Sequence, residues 1–151
     1  MKLIIACTPS GGIGYKNKLP WSNIQGDLLR FKQLTTNKVV VMGRNTWESL
    51  PKKPLPNRLN VVMASSELQL PVGAVQVNNL AQLVDYNEAW LIGGAALVNS
   101  SWHLIHEVHL SLTFAEYSCD TFIDLLKLHN EFTCVNTEEF VDHAYQIWKR
   151  K

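Results

Sequence analysis

The run Val39-Val40-Val41-Met42-Gly43-Arg44-Asn45-Thr46-Trp47 carries a β-branched apolar stretch into a glycine and then into helix-compatible sequence. An apolar run without alternation reads as a strand buried on both faces. A strand that ends in glycine and passes into a helix is the repeating unit of a parallel α/β sheet. The same succession recurs at Trp90-Leu91-Ile92-Gly93-Gly94-Ala95-Ala96-Leu97. Working outward, the runs Leu3 to Cys7, Val61 to Ala64 and Val75 to Val77 predict further strands. Helical patterns at Ile24 to Leu34, Thr46 to Leu50, Leu80 to Tyr86 and Ala95 to Leu104 separate several of them. After Glu107 the pattern changes. Val108 to Phe114, Phe132 to Asn136 and Ala144 to Trp148 read as strands joined without long helices, which predicts an antiparallel C-terminal edge.

Composition bounds the rest. A chain of 151 residues suits one domain over 1–151, and such a domain buries about 68–70% of its unfolded surface without staples. The net charge of +1, from 14 basic and 13 acidic residues without long blocks, implies no nucleic-acid partner. Lys149-Arg150-Lys151 reads as a solvated tail. Three cysteines, Cys7, Cys119 and Cys134, with no C-x-x-C pair, predict free thiols in a reducing cytoplasm and no metal site. Leu3-Ile4-Ile5-Ala6-Cys7 is shorter than the about 7–15 apolar residues of a signal h-region, so it reads as a strand. No stretch reaches the ~20 apolar residues of a membrane-spanning helix. Asn99-Ser100-Ser101 matches a glycosylation sequon, here a chance match without a secretion signal.

Candidate chemistry starts at Asp27, an acid among Trp21, Leu28 and Phe31 at the start of a helix. Partial desolvation suits a working acid. The alternative is a first-turn carboxylate that complements the helix dipole. The two glycine turns, at Gly43 and at Gly93-Gly94, are candidate phosphate cradles, since a glycine before a helix leaves backbone N–H groups open to an anion. Two of them suggest a dinucleotide with well-separated anionic contacts. Arg44 offers a bidentate partner for phosphate, Thr46 a hydroxyl, and Ser65 a second ligand at the next strand end. A ribose-reading acid about twenty residues after the glycines is not apparent, which favours NADPH over NADH. Arg58 follows the stiff Pro54-Leu55-Pro56-Asn57 turn and suits a substrate carboxylate; a solvated arginine is the alternative. The long loop from Thr8 to Asn23 reads as a functional flap. His103, His106 and His109 do not converge as metal ligands if the chain passes from helix to strand near His106. No nucleophile elbow is present.

Taken in order, Ile13-Gly14, Leu19-Pro20-Trp21, Asp27-Leu28-x-x-Phe31-Lys32, Val41-Met42-Gly43-Arg44-x-Thr46-Trp47-Glu48-Ser49, Pro54-Leu55-Pro56-x-Arg58, Ile92-Gly93-Gly94 and Glu116 through Asp120-Thr121 resemble the bacterial-type dihydrofolate reductase family. The resemblance implies a central, mostly parallel eight-stranded sheet with an antiparallel C-terminal strand, and NADPH-dependent reduction of dihydrofolate by a monomer. It implies that Asp27 holds the pterin edge, with Ser111 in its hydrogen-bond network, and that Trp21 orders a water. Ile5, Leu28, Phe31, Leu50 and Leu55 would wall the substrate, and Arg58 would clamp its carboxylate. Ala6, Ile13 and Leu19 would line the nicotinamide, Gly14 and Ile92 would also bind the cofactor, and Gly43, Arg44, Thr46, Ser65, Gly93 and Gly94 would lie along the phosphates. The Gly93–Gly94 bond would be cis, and Asp120 would brace the flap near Gly14. Ala95 and Val98 stand where the family usually carries a further glycine and a tyrosine. A riboflavin-pathway pyrimidine reductase on the same scaffold and a non-catalytic nucleotide binder are the competing readings.

Overall fold

A computed structural model describes all residues 1–151. The strands are β1 (Lys2–Cys7), β2 (Gly12–Gly14), β3 (Val39–Gly43), β4 (Leu59–Met63), β5 (Ala74–Val77), β6 (Trp90–Gly93), β7 (Glu107–Thr113), β8 (Thr121–Phe122), β9 (Phe132–Glu139) and β10 (His143–Arg150). The α-helices are α1 (Asp27–Thr35), α2 (Arg44–Ser49), α3 (Ala95–Ser100) and α4 (Leu125–Glu131). Eight strands form one sheet in the order β5-β4-β3-β6-β1-β7-β10-β9. Neighbours from β5 to β7 are parallel, and β10 runs antiparallel to both β7 and β9. A separate ribbon pairs β2 with β8.

The period of two along each strand divides the apolar residues between the sheet's faces. Leu3, Val41, Val61, Leu91, Val108 and Leu110 join Leu97, Val98, Leu128 and Phe132 in the larger core. Val40, Met42, Val62 and Trp90 meet Trp47 in a smaller one, with Leu34 and Leu50 packed against it. Thus β3 is buried on both faces, as its unbroken apolar run requires.

The structure departs from the sequence expectations at several elements. The helix expected from Ile24 starts at Asp27, because Gly26 before it takes φ 80, a left-handed conformation. Leu80–Tyr86 is a 3-10 helix capped by a reciprocal Asn79–Gln82 box. The pattern from Ala95 to Leu104 breaks at Ser101 into α3 and a 3-10 turn, Trp102–Leu104. The short helix α4 was not foreseen; Asp124 caps it by accepting from Leu126 and Lys127 N–H. Nor is the C-terminus a solvated tail. Arg150 lies in β10, where its guanidinium donates to the carbonyls of Trp102 and Ile105 and to Glu131, 3.0 Å away. Its guanidinium stands 4.5 Å above the buried Phe132 ring, so an apparent charge run secures a loop.

Candidate functional site

The acid is assembled where α1 crosses β7 and β10. Asp27 occupies the first turn of α1, and the β7 alternation puts Glu107, His109, Ser111 and Thr113 on one face. Ser111 Oγ donates to Asp27 Oδ1 at 2.5 Å, and Arg30, one turn along α1, brings NH1 to 3.5 Å of the same oxygen. Asp27 Oδ2 has no partner in the protein, and the side chain keeps 30% of its surface exposed. One carboxylate oxygen is therefore held and the other is presented. The first-turn position suits the helix dipole and leaves Oδ2 open to a ligand.

Behind Asp27 lies a polar network that the sequence reading missed. β10 pairs with β7 so that Tyr145 faces Ser111 and His143 faces Thr113. Arg30 NH1 donates to Ser111 Oγ at 3.1 Å, and NH1 and NH2 both lie 3.3 Å from His143 Nε2. A guanidinium only donates, so this Nε2 accepts and the His143 proton is on Nδ1, directed to Asp142 Oδ1 at 2.7 Å. Asp142 Oδ2 in turn accepts the Gln25 N–H at 3.0 Å, and these bonds from Gln25 and His143 hold its carboxyl below the usual range. The Arg30 guanidinium lies 4.1 Å above the Tyr145 ring. Tyr145 OH bonds His109 Nδ1, and His109 Nε2 reaches Glu107 at 2.7 Å. Burial pulls the His109 imidazole below its ordinary value despite Glu107. Burial works against the Glu107 carboxylate too, but the His109 bond and the Lys2 charge outweigh it. The Asp27–Arg30 spacing of three was the one available signal; partners 81 and 113 residues away left none.

The other expected substrate residues are placed unevenly. Phe31, Leu50 and Leu55 are partly buried, the last two against the smaller core, whereas Leu28 is 77% exposed beside Asp27. The Ile5 side chain packs against the larger core, while its backbone pairs in β1 with Leu110. Arg58 is not a loose surface cation. Its Nε donates to Pro56 O at 2.9 Å and its NH1 to the Thr35 hydroxyl at 3.0 Å, which fixes the guanidinium 5.9 Å from the Phe31 ring centre. Trp21 is buried edge-on against Tyr117, with ring centres 5.8 Å apart.

On the other side of β1, adjacent strands β3 and β6 bring the two glycine turns together. They lie side by side, not well separated as expected: a Cβ on Gly43 would sit 3.7 Å from Gly94 N. Gly93 takes φ +133, a region closed to most side chains, and the Gly93–Gly94 peptide is cis. A Cβ on either glycine would stand within 3.4 Å of Thr46 Oγ1. The first-turn N–H groups of α2 and α3 lack intrahelical acceptors there. Arg44, beyond β3, donates to Glu48 at 2.9 Å and to Ser66 Oγ at 2.8 Å. Ser65 lines a shallow polar cavity of about 410 Å³ with Glu67, Gln76 and Asn78. Glycine backbone that a Cβ would crowd, with the Thr46 hydroxyl beside it and the Arg44 guanidinium beyond β3, fits a phosphorylated dinucleotide. Ala6 pairs with Ser111 across β1, and Ile92 is partly buried in β6. Val98 is wholly buried in the larger core.

The segment read as a flap is tied at its base. Gly12 N–H donates to Thr8 Oγ1 at 2.9 Å, and Ser10 donates twice to the Glu116 carboxylate. Asp120 Oδ2 accepts the Lys16 N–H at 2.9 Å, and its own N–H donates to Gly14 O at 2.9 Å. Ile13 and Gly14 lie in β2, and Leu19 beyond them is 65% exposed. His103 and His106 are exposed, while His109 belongs to the network behind Asp27.

Comparison with known proteins agrees with this architecture. A family model described as dihydrofolate reductase matches residues 1–149. A dihydrofolate reductase type 8 of Escherichia coli is 37% identical over 160 residues, covering 98% of this chain and 94% of that protein. The dihydrofolate reductase of Buchnera aphidicola is 37% identical over 132 residues, covering 85% and 81%. A solved Enterococcus faecalis dihydrofolate reductase, complexed with NADP(H) and RAB-propyl, superposes with a TM-score of 0.86 at 25% identity, covering 99% of this chain and 95% of that one. With a family match along nearly its whole length and relatives of that name over nearly the whole of both chains, the chain belongs to the dihydrofolate reductase family and is an enzyme of that kind.

Proposed function

We propose that the protein reduces 7,8-dihydrofolate to 5,6,7,8-tetrahydrofolate with NADPH, supplying reduced folate for one-carbon metabolism and thymidylate synthesis. The observation that carries this reading is the divided use of Asp27: Oδ1 is held by Ser111 and Arg30, and Oδ2 is left to a ligand. The two carboxylate oxygens, held at a fixed height with Oδ2 open and acceptor capacity left on Oδ1, suit the N3–H and 2-amino edge of a pterin, which is planar and donates in parallel. NADPH, when bound, supplies the hydride that reaches C6. Asp27 fixes the ring and its polarised tautomer while N5 takes a proton from water, so the acid need not touch N5.

The remaining residues divide the binding. Arg58, already oriented by Thr35 and Pro56, pairs with the glutamate α-carboxylate. Gly43, Thr46, Gly93 and Gly94 accept the pyrophosphate by leaving space between α2 and α3, and Arg44 with Ser65 takes the 2′-phosphate. Ile13, Gly14 and Leu19 close over the site and exclude water, with Glu116 and Asp120 anchoring the segment at Ser10 and Lys16. A pure nucleotide binder has no use for a carboxylate oxygen presented this way. A ribityl-phosphate substrate has none for Arg58 facing a carboxylate. No helix is long and apolar enough to cross a membrane; we place the protein in the cytoplasm as a monomer, since one chain supplies every group named. Mixing the protein with NADPH and dihydrofolate tests the reading: NADPH absorbance falls only when both are present. Oxidation of NADPH independent of dihydrofolate, or none at all, overturns it.

A further inference from the structure

Arg30 holds Asp27 Oδ1, yet its charge has no part in the proposed reaction. Its side chain is only 15% exposed. α1 carries it, Ser111 on β7 accepts from it at 3.1 Å, and His143 on β10 accepts from both NH1 and NH2 at 3.3 Å. Its guanidinium stands 4.1 Å above the Tyr145 ring and 5.0 Å from the Phe140 ring centre, two aromatic faces that favour a cation. His143 cannot swing its acceptor away, because Nδ1–H is committed to Asp142, and Asp142 is bonded to Gln25 at the entry to α1. Three elements thus hold a permanent positive charge 3.5 Å from the Asp27 carboxylate.

We propose that Arg30 is a specificity-determining residue that sets which charge state of ring the Asp27 site takes. The proposal rests on the reading of Asp27 as the ring acceptor. Asp27 and Arg30 together present nearly zero net charge with acceptor geometry intact. A neutral pterin needs only that geometry. A ring with the same amidine edge that arrives as a cation, such as a 2,4-diaminopyrimidine protonated on a ring nitrogen, meets the carboxylate and the guanidinium at once. In a partly buried site the repulsion between two cations a few ångströms apart offsets much of the ion-pair attraction, on the order of tenfold or more in affinity. Arg30 acts through the field at Asp27 and through the Ser111 hydroxyl, so it is a positioning residue.

The test compares dissociation constants of dihydrofolate and trimethoprim, a 2,4-diaminopyrimidine, by tryptophan fluorescence without coenzyme, so that dihydrofolate is bound and not turned over. Arg30→Gln should shift the ratio toward trimethoprim by about tenfold or more at neutral pH, and Arg30→Lys should leave it within about twofold. The shift in Arg30→Gln should vanish at a pH high enough to leave the trimethoprim ring neutral. Equal weakening of both ligands marks Arg30 as structural and overturns the proposal. If Arg30→Gln does not fold, the unmodified protein decides: its trimethoprim affinity should change less than about threefold as the ring deprotonates, and a tenfold fall overturns the idea. Asp27→Asn separates the two readings. If it weakens both ligands while Arg30→Gln leaves the ratio unmoved, charge selection fails and the reading of Asp27 stands. If it weakens neither, the reading of Asp27 fails and takes the proposal with it.

Discussion

The two halves of the site are built from different materials. On the β3–β6 side the binding surface is backbone: glycines at strand ends, helix starts, and a gap that any Cβ would narrow. On the β7–β10 side it is a network of side chains, in which Asp27, Arg30, Ser111, His143, Asp142, Tyr145, His109 and Glu107 join through successive bonds and one cation–aromatic contact. Backbone recognition suits a phosphate, whose charge is read by N–H groups whatever the neighbouring side chains. Side-chain recognition suits a ring whose donors must be met one by one, and it is correspondingly sensitive to a single atom.

That contrast is broken most sharply at Asp27. Asp27→Asn keeps the shape of the residue but replaces one acceptor with a donor, and should lower dihydrofolate reduction near neutral pH by about 10²–10⁴. The NADPH dissociation constant, read by fluorescence, should barely move, and a substrate protonated at low pH should partly restore the rate. Activity unchanged across pH would remove Asp27 from the chemistry.

Arg58→Leu comes next. A charge-assisted bond contributes about 1.5–3 kcal/mol, so dihydrofolate and methotrexate should bind roughly one to two decades more weakly. Trimethoprim, which lacks a carboxylate, should change little. Parallel loss of all three ligands would show damage to the ring site instead of removal of a clamp.

On the cofactor side, Arg44→Ala should weaken NADPH by about tenfold and NADH much less, since only the former carries the 2′-phosphate. The half-exposed Arg44 already shares its charge with Glu48, 2.9 Å away, which moderates the effect. Equal losses for the two coenzymes would refute the assignment.

The smallest effect concerns His109. Its folded-state value is depressed below the ordinary 6.5, so the unfolded chain binds the proton more readily. The stability that follows from keeping this imidazole neutral is complete above pH 6.5 and declines as the pH falls below it. Urea midpoints for the parent and for His109→Gln, measured at neutral and mildly acidic pH, should show a shallower acid decline in the variant. An identical decline would place the pH sensitivity elsewhere.

How much was legible follows the same division. Gly43, Gly93 and Gly94 announced themselves because a β-branched run, a glycine and a helix start are neighbours in sequence, and each is dictated by local sterics and hydrophobic period. Asp27 was visible by its apolar company. Its partner Ser111 entered only through the family resemblance, and Arg30, though three residues from Asp27, does not reveal that it turns inward. The solvated reading of Arg150 failed for a related reason: a charge run looks alike whether its cations lie in water or over a ring such as Phe132.

By itself, then, the order of short apolar runs and glycines determined a parallel sheet, its antiparallel last strand and the two glycine turns, since these depend on spacing along the chain. Only the tertiary structure decided that the glycine turns share one gap, that Asp27 offers a single free oxygen, and that Arg30 stands charged behind it. The first depends on the pairing of β3 with β6; the surroundings of Asp27 and Arg30 depend on the β7–β10 register, which pairs Tyr145 with Ser111 and turns alternate residues toward α1. A one-residue slip in that register would send every one of those side chains to the opposite face.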